Sequence, residues 1–222
     1  MEASFPLDNN SIPVYLWYTR LDGFSNAVYQ KYLQSQDEQT SKSVGRFRFE
    51  ADRKRKLLGQ LLIKKMLAEY SGHTMQKLQT TDHGKPYVVD APAFNLSHSG
   101  NYVVLAFSEE PDAKIGVDVE HIKVIDYLKV GKTVYGEEEL QWLAESPDQQ
   151  LAFFRLWARK ESVLKAYGSG FFAQAKAVNC LGEPLIEGEQ YHFYPIRLDN
   201  QHQVCVAANR LVAKVNCIEI SW

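Results

Sequence analysis

Ile115-Gly116-Val117-Asp118-Val119-Glu120 alternates apolar residues with Gly116, Asp118 and Glu120, the period of a strand that has one apolar and one functional face. Asp118 and Glu120 therefore point the same way. Cα atoms two apart on a strand are separated by roughly 6.5 to 7 Å, close enough for both carboxylates to converge on one hard cation such as Mg2+. Gly116 is expected to leave room beside them for a bulky ligand. An edge strand with two solvated acids satisfies the same stretch, so its neighbours have to decide.

Downstream, Glu137 to Ala144 and the shorter 125–129 read as helices, and the longest helix of the chain is expected to follow. Its expected start has Ser146 as N-cap, Pro147 at the first helical position and Asp148 in the first turn, and it runs to about Tyr167. Leu151, Phe154, Trp157 and Ala158 give it an apolar side, and Glu161 and then Lys165 follow on that side at one-turn intervals. An acid in register with an apolar stripe needs a partner. Either an i,i+4 pair with Lys165, worth about 0.3 to 0.5 kcal/mol, or a ligand supplies it. Lys160 lies about 100° round the helix, so Lys160 and Lys165 could reach one ligand from two sides of Glu161. Gly168-Ser169-Gly170 stops the helix. Strands are expected over 191–196, 204–208 and 214–220.

Upstream, Val14 to Tyr18 reads as a first strand ended by Asp22-Gly23, with a polar helical stretch after it to about Gln36. A long helix is expected from Ala51 to Tyr70, with Leu57, Leu58, Leu61, Leu62 and Met66 as its apolar stripe and Gly72 as a stop. Gly59 in its middle costs about 1 kcal/mol relative to Ala, which points to close approach by another element. Arg53, Lys54, Arg55 and Lys56 crowd its first turns, against the macrodipole preference for acids there. A solvated face or a phosphate partner accounts for them. Short strands at 76–81 and 87–89 flank a turn in which Gly84 and Pro86 present Lys85. Asn95-Leu96-Ser97-His98-Ser99-Gly100 then leads into the apolar Tyr102 to Phe107, a buried strand. No acid is placed to complete a nucleophilic triad with Ser97 and His98, and hydrogen bonding to a ligand phosphate or ribose suits them better.

With 222 residues, 45% apolar and 23% charged, the chain can bury one full-sized core or two of about 100 residues. A formal net charge of −2 argues against a general nucleic-acid binder. No apolar run approaches the length of a membrane span, and the early acid Glu2, with no apolar region after it, does not read as a secretory signal. Cys180, Cys205 and Cys217 include no Cys-x-x-Cys pair, which suits core packing in a reducing cytoplasm. The histidines lack zinc-ligand spacing.

Taken together these segments resemble the 4′-phosphopantetheinyl transferases of the Sfp type. The resemblance rests on Gly116 to Glu120, on Trp157-Ala158-Arg159-Lys160-Glu161-Ser162-Val163-Leu164-Lys165 with Gly168 and Gly170 after it, on Gly84-Lys85-Pro86, and on Asn95 to Ser99, all in the family's order. It implies an α+β, pseudo-dimeric fold: two similar α/β halves, here 1–110 and 111–222, with the active site in the cleft between them. It further implies Mg2+-dependent transfer of the phosphopantetheine arm of coenzyme A to a serine of an apo acyl or peptidyl carrier protein, with adenosine 3′,5′-bisphosphate released. By the same resemblance Asp118, Glu120 and Glu161 hold the metal, Mg2+ or Mn2+, and Glu161 takes the serine proton. Lys160 and Lys165 bind phosphate oxygens, and Lys85, Ser97 and His98 contact the nucleotide. Lys42 and Lys56 are the nearest matches to the family's 3′-phosphate ligands, while Arg46, Arg48, Arg53 and Arg55 could steer an acidic carrier. A cytoplasmic monomer with no nucleic-acid or membrane partner is expected.

Overall fold

A computed structural model of the chain describes residues 11–75, 78–168 and 175–222. In order the elements are β1 (Ile12–Arg20), α1 (Asn26–Gln34), α2 (Glu38–Gly45), α3 (Glu50–Tyr70), β2 (Gln79–Thr80), β3 (Pro86–Tyr87), β4 (Ala93–Ser99) and β5 (Tyr102–Ser108). They continue with β6 (Ile115–His121), α4 (Tyr127–Val134), α5 (Glu137–Glu145), α6 (Gln149–Tyr167), β7 (Leu185–Ile186), β8 (Glu189–Gln190), β9 (His192–Ile196), β10 (His202–Ala208) and β11 (Val212–Glu219).

Two sheets carry the fold. The first has the order β11-β1-β5-β4 and the second β6-β10-β9. Strand alternation assigns each face a different partner. On β5, Val103, Leu105 and Phe107 pack with Leu57, Leu58, Leu62 and Met66 of α3, so this helix covers the outer face of the first sheet. Tyr102, Val104 and Ala106 point the other way, into a core shared with Ile115, Val117 and Val119 of β6 and Val204 and Val206 of β10. The two sheets therefore meet face to face, and the outer face of the second is covered by α6, whose Phe153, Leu156, Val163 and Leu164 are buried with Val134 and Leu143 of α4 and α5. Each half is a sheet backed by a long helix. The last strand crosses the expected 110/111 division, because β11 pairs in parallel with β1 and so completes the sheet of the other half.

Glycines mark both close helix–sheet contacts. A Cβ on Gly59 would come within 2.7 Å of Leu96 Cδ2 on β4, the close approach expected of this position. A Cβ on Gly116 would strike the Ser162 carbonyl oxygen and come within 2.5 Å of the Ala166 nitrogen. The space beside Asp118 is therefore filled by the backbone of α6, not kept for a ligand.

Local capping moves several boundaries. The start of α6 is capped by Asp148, which accepts the Leu151 N–H at 2.9 Å, so Ser146 and Pro147 lie before the helix. Asp37 caps α2, which periodicity did not indicate, by accepting the Thr40 N–H at 2.8 Å. Asp126 likewise starts α4 at Tyr127 rather than at 125. With 21 residues against 19, α3 rather than α6 is the longest helix. The stretch that leads into β5 is itself a regular strand over residues 93–99, paired antiparallel with β5. Gly168 ends α6 in the left-handed region, at φ 91°; Ser169 and Gly170, like Gln76 and Lys77 of an expected strand, lie outside the described residues. Cys180 and Cys205 are buried and Cys217 is exposed, and all three are free. Among the described residues no helix is long and apolar enough to cross a membrane.

Candidate active site

The face of β6 that carries Asp118 and Glu120 lies under α6, and α6 turns Glu161 and Lys165 toward it. Lys165 Nζ donates to Asp118 Oδ1 at 2.6 Å and to Ser97 Oγ at 3.3 Å, and stands 3.7 Å from Glu161 Oε2. From β4, Ser97 Oγ donates to Asp118 Oδ1 at 2.9 Å and Ser99 Oγ donates to Glu120 Oε2 at 3.1 Å. The two halves of the molecule thus meet at the carboxylates.

Burial and like charge set the electrostatics. Glu120 is pushed up to about 7, first by burial and then by the charge of Asp118. Glu161 is also pushed up to about 7, by burial against the pull of Lys165, with Asp118 adding to the rise. Burial raises the carboxyl of Asp118 while Lys165 opposes it. Burial alone would lower Lys165, yet Asp118 and Glu161 raise it on balance and keep it a cation. Each of the three acids thus feels at least one of the others, and a further positive charge would relieve all three.

Among the described residues no three acids, histidines or cysteines already converge as a ready-made ligand set. The expected meeting of Asp118, Glu120 and Glu161 at one point is therefore reached only as a neighbourhood. The physical reason is visible in Lys165, whose ammonium separates Asp118 from Glu161 and supplies the counter-charge they need. The donor set nevertheless fits a hard divalent cation. Asp118 Oδ2 is buried without a hydrogen-bond partner, and the three acids offer only oxygen.

The other expected residues divide. Lys160 is fully buried and pairs with Glu139 at 2.9 Å, with the carbonyls of Ala175 and Val178 each 2.5 Å away. The same 100° rotation that set it apart from Glu161 turns it into the core beside α5, so it does not flank a ligand. Lys85 Nζ donates to the carbonyls of Ile115 at 3.1 Å and Ala166 at 3.3 Å, which makes it a tie between the halves rather than a solvated turn lysine. Burial, and then Lys114, lower it to about 8. It lines a cleft of about 210 Å3 together with His83, Pro86, Leu96, Glu161 and Lys165. Ser97 is buried against Asp118 and Lys165, and His98, one residue on, is exposed. Lys42 is exposed on α2 in a pair with Glu38, and Lys56 is half-buried on α3; neither lines that cleft. Arg55 is committed to the Gly100 carbonyl, at 2.6 and 3.0 Å. A larger groove of about 580 Å3, with Arg155, Arg159 and Arg197 on its walls, lies between α6 and the β9–β10 pair and includes none of Asp118, Glu120 and Glu161.

Sequence reasoning missed two features: the Glu139 partner of Lys160, and the role of Asn95 and Ser99. The second left a signal, since Asn95, Ser97 and Ser99 alternate with Phe94, Leu96 and His98.

Family models account for nearly the whole chain. The 4′-phosphopantetheinyl transferase superfamily model matches residues 114–213, and a 4′-phosphopantetheinyl transferase N-terminal model matches residues 17–110. The chain belongs to the 4′-phosphopantetheinyl transferases. Its relatives include the 4′-phosphopantetheinyl transferase psf-1 of Bacillus pumilus, 40% identical over 131 residues, 56% of this chain and 54% of that one. The 4′-phosphopantetheinyl transferase Sfp of Bacillus subtilis is 36% identical over 131 residues, 56% of this chain and 57% of that one, which places this transferase among Sfp-type members. The L-aminoadipate-semialdehyde dehydrogenase-phosphopantetheinyl transferase of Mus musculus is 27% identical over 221 residues, 84% of this chain and 71% of that one. The aligned part spans about half the length of the two Bacillus relatives. Two matched halves and the mixed topology agree with a pseudo-dimeric α+β fold. The crystal structure of holo-[acyl-carrier-protein] synthase from Thermotoga maritima, at a TM-score of 0.36 and 16% identity over 45% of this chain and 63% of that one, is too slight a likeness to add to this.

Proposed function

We propose that this transferase moves the 4′-phosphopantetheine arm of coenzyme A onto a serine hydroxyl of an apo acyl or peptidyl carrier protein. The observation that carries the reading is the approach of Asp118 and Glu120 on β6 to Glu161 and Lys165 on α6, the last two of which line the cleft. Three acids and a lysine at one place suit a pyrophosphate and its cation. Passive recognition of a nucleotide needs no such set.

In the reaction the serine oxygen forms a bond to the phosphorus nearer the pantetheine, and the pyrophosphate P–O bond breaks to release adenosine 3′,5′-bisphosphate. Glu161, on the cleft wall, takes the serine proton. Lys165 binds phosphate oxygens and stabilises charge on the leaving group. Asp118, Glu120 and Glu161 would hold the cation, Mg2+ or Mn2+, which when bound neutralises the pyrophosphate and orients it. Lys85, on the cleft wall, contacts the nucleotide, and His98, Lys42 and Lys56, none of which lines the cleft, are its further candidate ligands, the two lysines for the 3′-phosphate. Free cysteines suit a cytoplasmic enzyme, and two halves in one chain suit a monomer.

The test is to incubate the protein with an apo carrier, coenzyme A and Mg2+, and to look by mass spectrometry for the phosphopantetheine increment on the carrier serine. Transfer that requires the cation is expected. Cleavage of coenzyme A without transfer would point to a phosphodiesterase, and intact binding without either reaction to a binding module.

A further inference from the structure

The inner face of β4 meets β6 without a backbone ladder: among the described residues β4 pairs only with β5, and β6 only with β10. The N–H groups of Val117, Val119 and His121 would then be unpaired donors at a buried strand edge. Side chains of β4 take all three. Asn95 Oδ1 accepts from Val117 at 2.9 Å, Ser97 Oγ from Val119 at 3.4 Å, and Ser99 Oγ from His121 at 3.1 Å. The register is constant at 22 residues, so every second residue of β4 serves every second N–H of β6.

This arrangement decides where each serine proton goes. A hydroxyl has one proton and two lone pairs, and once a lone pair is committed to β6 the proton remains for the nearest acceptor. For Ser97 that is Asp118 Oδ1, and for Ser99 it is Glu120 Oε2. Each serine therefore accepts from the residue after an acid and donates to the acid itself. We propose that Ser99 is a positioning residue that holds Glu120 in the orientation in which it binds a divalent cation. Among the described residues Ser99 alone gives the Glu120 carboxylate a side-chain hydrogen bond, while Asp118 has both Ser97 and Lys165. Ser99 ties one carboxylate oxygen of Glu120 and leaves the other to turn toward Asp118 and Glu161.

The inference rests on the metal-centre reading above, and the experiment separates the two. Mn2+ binding to the full chain without substrate is followed by calorimetry and by the loss of free-ion paramagnetic signal, with thermal unfolding measured alongside. Wild type is expected to bind. Ser99→Ala is expected to bind about 10- to 100-fold more weakly, the range typical of lost outer-shell partners, and Ser99→Thr, which keeps the hydroxyl, to remain within a few-fold of wild type. Should the alanine variant not fold, Ser99→Cys carries the same test, because a thiol is a weak donor. Wild-type affinity in Ser99→Ala, or an equal loss in Ser99→Thr, overturns the positioning role and leaves the metal centre standing. No Mn2+ binding by the wild type overturns the metal centre and this role with it.

Discussion

Lys160 and Lys165 are five residues apart on one helix, and their surroundings give them opposite work. Lys165 is partly exposed and shared among Asp118, Glu161 and Ser97 at the mouth of the cleft. Lys160 is sealed against Glu139, which also accepts the N–H groups of Gly136 and Cys180, each at 2.9 Å. Breaking such a buried pair leaves an uncompensated charge and costs about 3 to 5 kcal/mol. Lys160→Ala is thus expected to lower stability by about that much in chemical denaturation, while the folded fraction keeps its KM for coenzyme A; a raised KM with unchanged stability would return Lys160 to the phosphate. Lys160→Met with Glu139→Gln should recover only part of the loss, since the one glutamine oxygen replaces one of the two carboxylate oxygens that accept the Gly136 and Cys180 N–H groups and the amide NH2 leaves the other without an acceptor. Asp118→Ala removes the acid that Lys165, Ser97 and the cation share. Transfer is expected to fall by at least about a hundredfold, with far-UV circular dichroism unchanged, and full activity would sink the metal assignment.

Elements were legible in the sequence wherever apolar periodicity set them. The stripe of α3, the apolar run of β5 and the alternation of β6 needed no tertiary information, because a strand or helix must bury such a pattern. What the sequence did not resolve was decided by single hydrogen bonds, as with Ser146 and Asp148, both competent caps two residues apart. Asp148→Ala is expected to cost about 1 kcal/mol in urea denaturation and Ser146→Ala little. Gly116 was misread for a related reason: a missing side chain says that something is close, and only the fold says what. With α6 in contact, Gly116→Ala must push the helix away. Overpacking of this kind costs about 1 to 3 kcal/mol, and the shift carries Glu161 and Lys165 from Asp118. Stability and transfer are therefore expected to fall together, with transfer falling further than the unfolded fraction explains.

At the scale of the molecule, the cleft exists because two sheet-and-helix halves are held in register by contacts of long sequence separation. Strand β11 returns to β1, Ser97 and Ser99 reach β6, and Lys85 spans from a turn of the first half to carbonyls of β6 and α6. Side-chain reach across 30 to 81 residues of sequence cannot be read from local pattern, which is why Lys85 looked like a turn lysine. Its tie has a measurable sign. In the folded chain Lys85 loses its proton at about 8, below its ordinary value of 10.5, because burial penalises the cation. The unfolded chain binds the extra proton between those values, so this residue adds stability as pH rises from about 8 to 10.5 and opposes folding below about 8. Tyrosines and cysteines titrate in the same window, so the comparison is made against Lys85→Met at each pH rather than on wild type alone. The stability of wild type relative to Lys85→Met is expected to rise steadily from pH 8 to 10 in urea denaturation and to be flat from pH 6 to 7.5. A difference that falls with pH would mean that the Ile115 and Ala166 carbonyls hold the ammonium more strongly than burial opposes it. Lys85 would then be a fixed cation of the fold, with its charge already spent on the two carbonyls.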